Sequence, residues 1–102
     1  MDNRILGSLG LCAKAGKLIV GSQMTVEAIQ KRKRIYLVLE ASDSSENTHK
    51  RLSDKCSFYG VEIKRLDFDS SQLSRAVGKS SSVVAVAITD EGFYKMVSKY
   101  FT

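Results

Sequence analysis

Hydrophobic and polar residues follow one another in blocks whose period switches repeatedly along the chain. Across residues 3–14, Ile5, Leu9 and Cys12 recur at helical spacing with Leu6 and Ala13 beside them, which predicts an amphipathic helix ended by Gly16. Leu18-Ile19-Val20 is the length of a short strand. Ser22 is placed to cap a second helix that turns Val26, Ala28 and Ile29 to the core. Residues 35–40, IYLVLE, predict a strand. The polar stretch ASDSSEN then offers Asp43 or Ser44 as an N-cap, with Glu46 placed to complete a capping box from Asp43. The third helix carries Leu52, Cys56 and Tyr59 on one face and stops at Gly60.

Val61-Glu62-Ile63 alternates as a strand does. Asp69 and Gln72 repeat the capping signal for a short helix through Leu73, Ala76 and Val77, ended by Gly78. Residues 83–88, VVAVAI, are apolar throughout, as a strand covered on both faces should be. Thr89 or Asp90 caps a last helix in which Phe93, Met96, Val97 and Tyr100 keep helical spacing.

Alternating helices and strands predict an α/β chain, a three-layer α/β/α sandwich on a four-stranded mixed, mostly parallel sheet. The strands starting at Ile35, Val61 and Val83 are expected to run parallel through right-handed crossovers. The Leu18 strand is expected at an edge, where it is free to run antiparallel. The 102 residues contain no proline, repeat or Gly/Ser-rich linker, so a single domain over residues 1–102 is expected. No apolar run approaches the roughly 18 residues of a membrane span. No signal-peptide pattern opens the chain, and a cytoplasmic protein without a membrane partner is expected. Cys12 and Cys56 lack zinc-site spacing and read as buried thiols in a reducing compartment.

Catalytic chemistry has little to stand on. His49, the single histidine, lies in the polar start of the third helix and reads as an exposed residue without a partner. The acidic residues are scattered. Gly7, Gly10 and Gly16 follow no strand and make no phosphate loop. No metal, cofactor or small-molecule substrate is expected.

Charge changes the picture. The formal net charge is +5. Residues 1–34 hold seven cations against Asp2 and Glu27, while residues 35–102 hold nine of each sign, so the whole excess lies in the first third. Such a one-sided basic surface points to a polyanion, most often a nucleic acid. A helix starting at the Gly21-Ser22 turn presents unpaired amides and a positive dipole end to phosphate. Lys14 and Lys17 flank that turn in sequence, and Lys31, Arg32, Lys33 and Arg34 end the same helix about 15 Å away at about 1.5 Å per residue. Compensation of the helix dipole and solvation account equally well for that run.

The string AKAGKLIVGSQMTVEAIQKRKRIYLVLEASDSSENT, followed by LSRAVGKSSSVVAVAI, resembles the kink-turn RNA-binding ribosomal proteins, the superfamily of the seven-Ae and thirty-e large-subunit proteins, over residues 4–97. The resemblance implies an α/β/α sandwich that binds a kinked helix–internal loop–helix RNA, in ribosomal RNA or another ribonucleoprotein. It implies close approach of the RNA backbone at Gly21 and Ser22. Gln23 and Met24 fall where many members carry Asn-Glu to read guanine edges, and Glu27 falls where they carry a cation. Lys79, Ser80, Ser81, Ser82 and Val83 fall in the loop that closes over an extruded nucleotide. Met24 cannot accept a hydrogen bond from guanine, and Glu27 repels phosphate. These departures fit a different RNA bend, weaker binding, or a protein-interaction module that kept the fold. If the cationic run grips phosphate, Lys31→Glu with Lys33→Glu removes most RNA affinity with little effect on melting temperature. Unchanged affinity at moderate salt in a filter-binding titration would refute this.

Overall fold

A computed structural model describes residues 1–101. The helices are α1 (Arg4–Lys14), α2 (Ser22–Gln30), α3 (Glu46–Tyr59), α4 (Ser70–Ala76) and α5 (Glu91–Ser98). The strands are β1 (Leu18–Val20), β2 (Leu37–Glu40), β3 (Ile63–Arg65) and β4 (Ala85–Ile88). Every predicted element is present, and the mixed four-stranded sheet has the order β1-β4-β2-β3. Boundaries move most at β3, which lies two residues beyond the apolar alternation that suggested it.

The strand directions depart from expectation. β2 and β3 are parallel, but β4 is antiparallel to both β1 and β2. The cause is where the chain travels after β3. Arg65 ends β3 opposite Glu40, and Ala85 starts β4 opposite the same Glu40. The Leu66 amide bonds the Glu40 carbonyl, and the Ala41 amide bonds the Val84 carbonyl. The intervening segment, with its seven-residue α4, thus starts and finishes at the same end of the sheet. The next strand therefore has to run back.

β2 and β4 are buried along their whole length, and side chains alternate between two cores. Leu37, Leu39, Val86 and Ile88 meet Ile5, Leu9, Cys12, Leu73 and Val97 on one face. Val38 and Ala87 meet Ile29 and Cys56 on the other, beside a cluster of Val26, Leu52 and Ala85. The apolar run VVAVAI thus alternates in size. Its alanines face α2 and α3 and let those helices approach the sheet closely. Gly10 plays a similar part between α1 and α4, because a Cβ there would lie 2.7 Å from the Ala76 carbonyl oxygen. Met96, expected inward, is exposed, and Val97 alone of the α5 residues is buried.

The caps sort the sequence signals. Asp69 and Gln72 form the expected capping box, and Asp90 caps α5. At α3 the cap is Ser45, whose Oγ accepts from the Thr48 amide at 3.2 Å. Neither Asp43 nor Ser44 caps it. Asp43 is held by a distant partner, accepting from the Ser70 amide and hydroxyl at 2.8 Å each. Those bonds keep its carboxyl below the usual carboxylate range.

Cys12 and Cys56 are buried and free. Burial, then the nearby Asp90 carboxylate, pushes the Cys12 thiol up to about 11, and burial followed by Glu40 does the same at Cys56. Both thiols stay neutral in the folded chain at pH values where an unfolded chain ionises them. Their stabilising effect is complete below the unfolded value near 9 and is lost as pH rises through about 11. Urea midpoints should therefore fall from about pH 9 upward, and Cys12→Ala with Cys56→Ala should flatten that part of the pH curve. A decline of equal slope in the variant would contradict this.

Candidate nucleic-acid interface

Helix α2 begins without a side-chain cap. Gly21 is the N-cap, at φ 108° and ψ 144°, a backbone region open in practice to glycine. The expected cap, Ser22, is instead the first helical residue. The first helical hydrogen bond runs from the Thr25 amide to the Gly21 carbonyl at 3.0 Å, so the amides of Ser22, Gln23 and Met24 have no acceptor within the helix. Gln23 and Met24 are exposed and Ser22 is half-buried. The Gly21 amide bonds the Ala85 carbonyl at 2.8 Å, tying this helix start to the head of β4.

The segment leading into β4 lies at the same end of the sheet. It is pinned by Ser74, a buried hydroxyl that nothing in the sequence singles out. Ser74 Oγ donates to the Ser81 carbonyl and accepts from the Val83 amide, each at 2.8 Å. Lys79, Ser80, Ser81 and Ser82 are left exposed. Val83 is not: its side chain is 4% exposed and belongs to the core, so it cannot pack on a base. The half-buried Val84 is the apolar side chain nearest the exposed run.

Three cations converge along the β1 edge, from this end of the sheet toward the other. Lys14 from α1, Arg75 from α4 and Lys79 line one groove of about 550 Å³ together with Leu18 and Val20. Arg75 was invisible as a site residue in the sequence, where it is one cation in a short amphipathic helix. Only the approach of α1 and α4 through Gly10 sets it beside Lys14.

The remaining expected cations lie elsewhere. Lys17 precedes Leu18, which pairs with Ile88 at the far end of β4 from Ala85, and its carbonyl accepts from the Thr89 amide and hydroxyl. Lys31, Arg32, Lys33 and Arg34 are all exposed beyond the C-terminus of α2, about 15 Å or more from Gly21 at about 1.5 Å per residue. The Arg32 guanidinium lies over the Tyr59 ring at 5.4 Å. Within α2, Gln23 Nε2 donates to Glu27 Oε1 at 3.5 Å, so two of the three departures from the family pattern engage one another.

Residues 3–98 match the family described as Ribosomal protein L7Ae/L30e/S12e/Gadd45. The chain belongs to this family. It is 40% identical over 85 residues to the RNA-binding protein YlxQ of Bacillus subtilis (strain 168), covering 83% of this chain and 82% of that protein. It is 37% identical over 92 residues to the RNA-binding protein YlxQ of Enterococcus faecium, covering 90% and 85%. Among solved structures, a Bacillus halodurans protein of unknown function superposes with a TM-score of 0.84 at 33% identity, over 96% of both chains. The Giardia lamblia 15.5kD RNA binding protein shares the fold, with a TM-score of 0.75 at 17% identity over 97% of this chain and 86% of that one.

On this L7Ae-family scaffold, His49 has a partner that the sequence hid. Its Nδ1 lies 2.7 Å from Oε1 of Glu40. The histidine side chain is 45% exposed and the glutamate 1%. Glu40 ends β2 on the face covered by α3, and its Oε2 is buried with no hydrogen-bond partner among the described residues. The pair reads as structural: His49 is the partner that a buried carboxylate requires. Among the described residues, no cluster of three or more His, Cys, Asp or Glu is placed to hold a metal, and no helix is long and apolar enough to cross a membrane. Removing His49 alone strands the carboxylate, whereas replacing Glu40 by an apolar residue removes the need for a partner. His49→Ala is expected to cost about 2 kcal/mol in urea denaturation, and Glu40→Leu very little. The double variant should recover most of the loss, and a double variant as unstable as His49→Ala would show that the pair is not coupled.

Proposed function

We propose that this chain is a non-catalytic binder of structured RNA, gripping a bent or bulged region at the end of the sheet where α2 begins. The single observation that carries the reading is the uncapped start of α2 at Gly21. Three amides without helical acceptors and the positive dipole end meet there, beside the exposed 79–82 segment. Family membership and the name of the YlxQ relatives support an RNA partner. Backbone amides hold phosphate without reading sequence. Lys14, Arg75 and Lys79 add charge from the adjoining groove. Unstacked bases of a loop or bulge then meet the polar run Ser80–Ser82 and the exposed Met24, which packs on a base face without a hydrogen bond. A ribosomal or other cytoplasmic ribonucleoprotein RNA fits this chemistry.

The Gln23–Glu27 contact favours a partner other than a standard kink-turn. The first-turn amide that would face a guanine edge is turned along the helix, and the carboxylate beside it repels phosphate. Recognition therefore rests on shape and charge more than on sheared G·A pairs.

Electrophoretic or filter-binding titration with a helix–internal loop–helix RNA tests the reading. Lys14→Ala with Lys79→Ala should weaken binding at least tenfold and reduce the slope of log K against log salt by about two, one for each phosphate that is no longer neutralised. Gln23→Asn with Met24→Glu should raise affinity for an RNA bearing tandem G·A pairs. Identical affinity and salt slope in the lysine variant would sink the proposal.

A further inference from the structure

At the pole of the molecule opposite to Gly21 in α2, a second surface combines cations with one open aromatic face. Phe58 is 78% exposed, the most exposed large apolar side chain among the described residues. It sits in the last turn of α3 and meets Tyr59 edge-on, with ring centroids 4.9 Å apart and planes at 73°. Tyr59 is a ridge between two depressions. One is lined by Arg32, Lys33 and Arg34, the other by Phe58 with Arg51, Lys55 and the single acid Asp54. Five cations against one carboxylate thus surround Phe58, which lies outside the core, and the outer part of Tyr59, which is half-buried against the cluster of Ile29, Val38, Cys56 and Ala87.

The backbone adds an independent sign. Helices α1, α3 and α4 all end with the same pair of hydrogen bonds around a left-handed residue, and in each it is a glycine: Gly16, Gly60 and Gly78. Helix α2 ends with the same pair, Arg32 amide to Ile29 carbonyl and Lys33 amide to Ala28 carbonyl, but the left-handed residue is Arg32 at φ 57°. A non-glycine residue is disfavoured there, because its Cβ crowds the backbone. The strained turn directs a guanidinium over the Tyr59 ring, where it offers charge and a flat face together.

We propose that this surface is a stacking platform for unpaired bases of RNA, a second contact separate from the α2 start. Phe58 takes a base on its open face, and the arginines and lysines around Tyr59 take the flanking phosphates. The occupant is a single-stranded segment, because a paired base has no free face to offer and a flat ring does not read a duplex groove. The inference rests on the reading that the partner is RNA, and it extends the contact to a face that the helix start does not reach.

Three RNAs separate the two surfaces when titrated against the full chain: oligouridine of ten nucleotides, a blunt helix–internal loop–helix RNA, and that RNA with an oligouridine tail containing one 2-aminopurine. Phe58→Ala should weaken oligouridine binding about 5- to 150-fold, the effect of one stacked base, and should abolish the quenching of 2-aminopurine. Affinity for the blunt RNA should not change. Phe58→Trp should restore both signals, which a purely electrostatic surface would not do. Oligouridine bound equally well by Phe58→Ala overturns the platform. So does a wild-type chain that binds the blunt RNA and ignores oligouridine, an outcome that leaves the first surface standing. Displacement of the tail by an acidic peptide, with Phe58→Ala unaffected, would assign the surface to a protein instead. Binding of no RNA at all would remove both readings.

Discussion

The hydrogen bond from the Gly21 amide to the Ala85 carbonyl joins two features that are otherwise far apart in the chain. It is the last rung between the edge strand β1 and the buried strand β4, and its donor is also the N-cap residue of α2. β4 itself has no exposed position, with Ala85, Val86, Ala87 and Ile88 all buried. A strand so placed cannot slip by one residue without exchanging its two faces, which would force Val86 and Ile88 into the space that α2 and α3 occupy over the alanines. The start of α2 is thereby held at a fixed height above the sheet. The open amides of its first turn are preorganised by the core and require no movement to meet a ligand.

Charge is distributed by the fold rather than by the chain. The excess of the first third is split between two poles. Lys14 joins Arg75 and Lys79 on the α1–α4 side, while Arg32, Lys33 and Arg34 stand beside Tyr59 on the α2–α3 side. Asp and Glu residues fall mainly outside both places. Two sites that look like one cluster in sequence are therefore two surfaces, and cations from the neutral remainder of the chain complete each of them. The one buried carboxylate among the described residues, Glu40, is held by His49 and lines neither surface.

Both ends of α2 are shaped by a positive φ. Gly21 at φ 108° adopts it freely, as glycine does. Arg32 at φ 57°, just past the C-cap Lys31, is the non-glycine residue in that region among the described residues. Each end presents a group outward, amides at one and a guanidinium at the other. The strain at Arg32 is held in place by surrounding structure, here by the two turn hydrogen bonds and the Tyr59 ring.

The sequence alone determined the element order, the α/β class and most of the core, because apolar spacing and capping chemistry are local. Ile5, Leu9, Cys12, Leu52 and Leu73 announce their burial by period. Asp69 and Gln72 announce a cap by being three residues apart. The sequence also carried the turn at Gly21 and the cations. It misassigned Ser22 as a cap and gave no sign that the Val83 side chain is buried, since helix starts and strand ends shift by a residue or two with no change in local propensity. The direction of β4, the Asp43–Ser70 and Glu40–His49 pairs, the Ser74 pin, the groove with Arg75 and the exposure of Phe58 were decided only in three dimensions. Each depends on which distant segment lies alongside, and contacts between residues far apart in sequence leave no periodic trace along the chain.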